Sequence, residues 1–181
     1  MNSINLSPLE SVNDLYFKAC SELFAAYGLS LDLQDKDTSS TGKSGYISIL
    51  SATGEELRLI SALNIGSDLL TRIYPLSSDH VEQHQLEDWC SELNNQLVGR
   101  VKNKLLVLGC EVMIGLPSLL TGKDLSSVSN QEFDVHEYLF ASAQGSLKAH
   151  LAMQIKPGLV FQENDQPEDQ TVQLEGAHFL F

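Results

Sequence analysis

Asp88, Glu92 and Asn95 share one line along a segment whose periodicity predicts a long helix, and twenty-one residues separate Asn95 from Pro117. Core packing requires none of these residue types. A carboxamide donates and accepts hydrogen bonds, so it can hold a water without competing as a base. A carboxylate one turn away can anchor a cation on a partner. Exposed helix faces are polar as a rule, so the line is either a solvated face or a site.

The helix must position these side chains, and its apolar pattern says how. Each residue advances about 100° around an α-helix. With Leu93 at zero, Leu86, Cys90, Leu97, Val101 and Leu108 fall within roughly 20–80°, flanked by Trp89 and Leu105. That stripe is expected in the core. Asp88, Glu92, Asn95 and Gly99 fall at roughly 200–260° and are expected to point outward, with Gly99 leaving open ground beyond Asn95. The complete string, with Pro117 at its end, arises by chance in on the order of one chain in several hundred.

The string resembles the signature of the CheC/CheX/FliY phosphatases of bacterial chemotaxis, which carry Asp or Ser, then Glu, then Asn, then a distant Pro at this spacing. The text ELNNQLVGRVKNKLLVLGCEVMIGLPSLLTG at 92–122 is most similar to the CheX branch, including Gly99 and the LPSLLTG after the helix. The resemblance implies a phosphatase that acts on the aspartyl phosphate of a CheY-like response regulator. Glu92 would meet a regulator lysine, and Asn95 would enter the regulator's active site and orient the attacking water. Asp88, Gly99 and Pro117 would support them. No cofactor of its own is implied, and the Mg2+ would be the regulator's. A non-catalytic docking or adaptor module on the same fold is the alternative. The CheC branch repeats the motif on its first helix. Here Glu10 and Asn13 keep the gap, but Leu6 and Asp35 stand where Asp or Ser and Pro are required, so one site is expected.

The remaining elements read as α+β: a mainly antiparallel sheet packed with two long helices, the fold that the CheC likeness also implies. Ser7, Pro8 and Glu10 punctuate a first helix that stops at Gly28. Strands are expected at 29–33, 46–50 and 56–63 as a hairpin or meander, and at 110–117. A hairpin follows, EFDVHEYLFAS with SLKAHLAMQIKPG. GSDLLTRIYP at 66–75 is a short helix or turn. The long helix should start near Ser78 or Asp79 and end at Gly109, and SLLTGKDLSSVSN reads as a polar crossover. Residues 158–170 read as an acidic loop, and 171–181 as an edge strand that could serve a homodimer. One domain over 1–181 accommodates all of this.

Composition excludes several partners. With 24 Asp and Glu against 11 Lys and Arg, the net charge is −13, and no cationic footprint for nucleic acid or an anionic membrane exists. MNSINLSPLESVND has neither the basic start nor the apolar run of a signal peptide, and no stretch reaches the length of a membrane span. Cys20, Cys90 and Cys110 have no CxxC spacing, so buried, reduced thiols in the cytoplasm are expected. His80 and His84, four apart, could hold a metal by spacing alone, but such exposed pairs are usually empty, and no metal site is assigned. His136, His150 and His178 read as sheet-surface residues.

Overall fold

The computed structural model describes residues 7–34, 44–76, 81–123, 133–143 and 145–161. Helix α1 (Pro8–Ala26) begins with the expected reciprocal cap. The Glu10 backbone N–H donates to Ser7 Oγ at 3.3 Å, and the Ser7 N–H donates to Glu10 Oε2 at 2.8 Å. Its end falls at Tyr27, followed by Gly28 at φ 74°, a left-handed conformation that suits glycine. Val12, Tyr16, Ala19, Cys20, Leu23 and Phe24 are buried, which fixes the face that α1 turns to the sheet.

Among the described residues the sheet has seven strands: β1 (Asp32–Gln34), β2 (Ser44–Gly54), β3 (Leu57–Gly66), β4 (Val112–Ile114), β5 (Ser118–Lys123), β6 (Asp134–Ser142) and β7 (Gly145–Ile155). All pairings are antiparallel in the order β1-β6-β7-β3-β2-β4, and β5 also lies on β2. The short α2 (Ser67–Arg72) follows β3, and α3 (Gln83–Val107) is the long second helix. Leu50 of β2, Leu59, Leu63 and Ile65 of β3, and Leu147, Leu151 and Met153 of β7 alternate onto one face, where they meet the buried sides of α1 and α3 in one core. The chain is α+β, a layer of helices on an antiparallel sheet.

Several elements depart from expectation. β1 does not join a meander with β2; it pairs with β6 at the opposite edge, Leu33 beside Phe140. Residues 118–123 are a strand, not a crossover. β4 and β5 form one edge strand split by a bulge. Ala52 pairs with Ile114 and Ile49 with Ser118, so 115–117 face only 50–51. Pro117 lacks an N–H for a ladder, and a bulge on an edge strand is where a proline can sit.

α3 starts at Gln83, capped by Glu82, later than expected. His84 lies in its first turn beside Glu82 at 3.2 Å, while His80, His178, most of the acidic loop and the 171–181 strand fall outside the described residues. As expected, His150 lies on the sheet face turned away from the helices, between Ala62 and Glu137 of the neighbouring strands, but its side chain is only 13% exposed and lies 3.3 Å from Glu137. Burial foremost, together with Lys148, lowers its pKa against the opposing pull of Glu137. All three cysteines are buried and free. Burial pushes the Cys90 thiol up to about 12 and raises the Cys20 and Cys110 thiols as well, so none is a ready nucleophile.

Candidate functional site

The orientation of α3 is set from beneath. Asn94 is fully buried at its centre. Its Nδ2 donates to the Ser48 carbonyl at 2.8 Å and reaches the Ser61 carbonyl at 3.3 Å, while Ser61 Oγ donates to Asn94 Oδ1 at 2.7 Å. Because Ser61 gives its proton to Asn94, the Tyr16 hydroxyl is the donor to Ser61 Oγ at 2.8 Å, and it lies 3.2 Å from the His150 carbonyl. One polar chain thus links α3, the middle of the sheet and α1, with its members satisfied inside an apolar core. Together with the buried apolar stripe on the same side, it fixes the rotation of α3. Turning about 100° from Asn94 brings Asn95 out of the core.

On the outer side, Asp88 is exposed, and Glu92, Asn95 and Gly99 are half-buried. The four follow one line over about 16 Å of helix. The half-burial corrects the expectation of a fully outward line. The C-terminal end of α1 runs beside α3, as Tyr27 bonded to Gln96 and Glu22 paired with Lys104 at 3.0 Å show. Neither Asp88 nor Asn95 makes a side-chain hydrogen bond to another described residue. A Cβ built on Gly99 meets nothing within 4 Å, so this chain's own packing does not require glycine there. Pro117 arrives from the edge strand: Ser48, held by Asn94, pairs with Leu119, two residues beyond it.

Glu92 is engaged on one oxygen. Gln96 Nε2 donates to Glu92 Oε1 at 3.0 Å, and the Tyr27 hydroxyl donates to Gln96 Oε1 at 2.8 Å. Tyr27 is fixed in turn by its ring, which meets Trp89 edge to face at 5.3 Å. Burial raises the Tyr27 pKa; the Gln96 bond and Arg100 oppose the rise and Glu92 adds to it, so the hydroxyl stays a donor at neutral pH. Three of these residues were missed in the sequence. Asn94 had a signal, because it falls on the wheel between the buried Val101 and Leu105. Gln96 lies four residues after Glu92, a spacing that pairs on helices. Tyr27 had none, since only the packing of α1 on α3 brings it there.

Glu10 and Asn13 on α1 are used structurally. Glu10 closes the cap, and Asn13 Oδ1 accepts a hydrogen bond from the Tyr138 hydroxyl. Among the described residues no group of three or more His, Cys, Asp and Glu could hold a metal, and no helix is long and apolar enough to cross a membrane.

Known proteins of the same architecture are numerous. The chain superposes on the chemotaxis protein CheX of Vibrio vulnificus with a TM-score of 0.67 at 13% identity, covering 84% of this chain and 100% of that one. For a CheC-like superfamily protein from a Shewanella species the TM-score is 0.66 at 14% identity, with 79% and 97% covered. For a chain of the CheX–CheY–BeF3–Mg2+ complex of Borrelia burgdorferi it is 0.59 at 12% identity, again with 79% and 97% covered. At such identities these likenesses establish the fold. No curated protein matches the sequence. The profile of the family described as chemotaxis phosphatase CheX, however, matches residues 47–141, which run from β2 through α3 to β6 and make up more than half of the chain. With that match spanning the whole Asp88–Pro117 string, the chain belongs to the CheX family of chemotaxis phosphatases.

Proposed function

We propose that this protein hydrolyses the aspartyl phosphate of a CheY-like response regulator, with Asn95 orienting the attacking water and Glu92 anchoring a regulator lysine. The observation that carries the reading is the contrast within one dipeptide. Asn94 is consumed by the core, while the Asn95 carboxamide is bound to no other described residue and sits one turn from a carboxylate. An acyl phosphate is cleaved by in-line attack: water oxygen bonds to phosphorus, the bond to the aspartyl oxygen breaks, and inorganic phosphate and a free carboxylate result. Such a reaction needs positioning and charge placement more than covalent chemistry from the catalyst. The carboxamide accepts from the water and donates to a phosphoryl oxygen. In this reading the Mg2+ is the regulator's own, and CheX, CheY, BeF3 and Mg2+ occur together in the Borrelia burgdorferi complex.

The test is decay of acyl-phosphorylated receiver domains with and without the protein. Acceleration that weakens in Glu92→Ala through a raised KM and returns at high receiver concentration supports the proposal. Tight association with a phosphorylated receiver and no acceleration would make the chain a docking module instead.

Gly99→Ala separates stability from docking. A glycine inside a helix costs roughly 0.5–1 kcal/mol relative to alanine, and the added methyl meets nothing in this chain. The variant should therefore melt about 1–4 °C higher. If the regulator backs onto this line, the same methyl raises KM several-fold. A raised Tm with an unchanged KM would put the partner elsewhere.

A further inference from the structure

We infer that Gln96 and Tyr27 are positioning residues that lock the Glu92 carboxylate for its partner, an inference that rests on the docking role proposed for Glu92. A glutamine bonded to a glutamate four residues earlier is an ordinary helix-surface pair. What sets this one apart is its third member, which comes from another helix. The Tyr27 hydroxyl holds the far side of the Gln96 amide at 2.8 Å, so the amide cannot rotate away without breaking two hydrogen bonds. Tyr27 itself sits at the C-cap of α1 with its ring edge-on against Trp89, one turn before Glu92. The relay occupies Glu92 Oε1 and leaves Oε2 for an incoming cation.

A free glutamate has many rotamers to lose when it forms an ion pair, and losing them weakens association. A carboxylate already held in place has few. The relay should thus act on docking and leave the water-orienting amide of Asn95 untouched.

Tyr27→Phe removes the hydroxyl and keeps the ring, and Gln96→Met keeps reach without hydrogen bonds. Each should raise KM for a phosphorylated receiver by about three- to tenfold, with kcat within about twofold. In a Glu92→Ala background neither should add anything, because both act through that carboxylate. Equal effects with and without Glu92, or no effect in either, would overturn the inference. A second reading needs no partner: the Gln96 side-chain amide resonances should move in both Tyr27→Phe and Glu92→Ala. If Tyr27→Phe leaves them in place, the relay does not exist. Should no receiver be bound or dephosphorylated by the wild type, the phosphatase reading falls, and the amide resonances still decide the relay.

Discussion

Asn95→Ala should lower kcat toward a phosphorylated receiver by about 10²–10³-fold, the usual effect of removing one preorganised polar group from a transition state. Binding should change little, because Glu92 carries the docking in this reading. Stability should not fall either: Asn95 has no hydrogen bond to another described residue, and alanine is the better helix former. A melt at or slightly above the wild-type temperature, together with lost turnover and retained affinity for a beryllofluoride-loaded receiver, is the expected triad. Asn95→Asp sharpens it, since the shape is kept while a negative charge replaces the donor facing the phosphoryl group. Full activity in Asn95→Ala would end the water-orienting mechanism, whatever the protein binds.

How much of this could be read from the chain differs by element, for physical reasons. α1 was legible because its start and stop are local: Ser7, Pro8, Glu10 and Gly28 act on backbone groups within a turn of themselves. The apolar stripe of α3 was legible for the same reason, and Leu86, Cys90, Leu93, Leu97 and Val101 are all buried. The position of β1 was not, because three residues pairing with β6, a hundred positions along the chain, leave no local trace. From the sequence Pro117 looks like a strand end, yet it marks a bulge, since a proline forbids a ladder hydrogen bond without saying whether the strand resumes. At the site, a single-helix wheel finds the outward line but cannot see a neighbouring helix. The half-burial of Glu92 and its link through Gln96 to Tyr27 are products of tertiary packing.

Asn94→Ala should do the reverse of Asn95→Ala, one position away. The substitution removes the amide that donates to the Ser48 and Ser61 carbonyls and the acceptor of the Ser61 hydroxyl proton in a site closed to solvent, and leaves a void beside Leu93 and Leu97. Buried polar groups left unpaired cost about 1–3 kcal/mol, so a loss of about 2–4 kcal/mol with the void included is expected. In a chain of this size that lowers Tm by roughly 4–16 °C. Below the melt, kcat should stay near wild type, since Asn95 still projects from a folded α3. Asn94→Asp keeps the shape and turns the amide donor into an acceptor facing two carbonyl oxygens. Burial then favours its protonated form, which can donate, so the folded state binds a proton that the unfolded chain releases. The penalty of Asn94→Asp should therefore grow as pH rises above the ordinary carboxylate range and shrink below it, a dependence that Asn94→Ala must lack. A Tm for Asn94→Ala within a degree of wild type would mean that the polar chain does not hold α3. The outward aim of Asn95 would then need another cause.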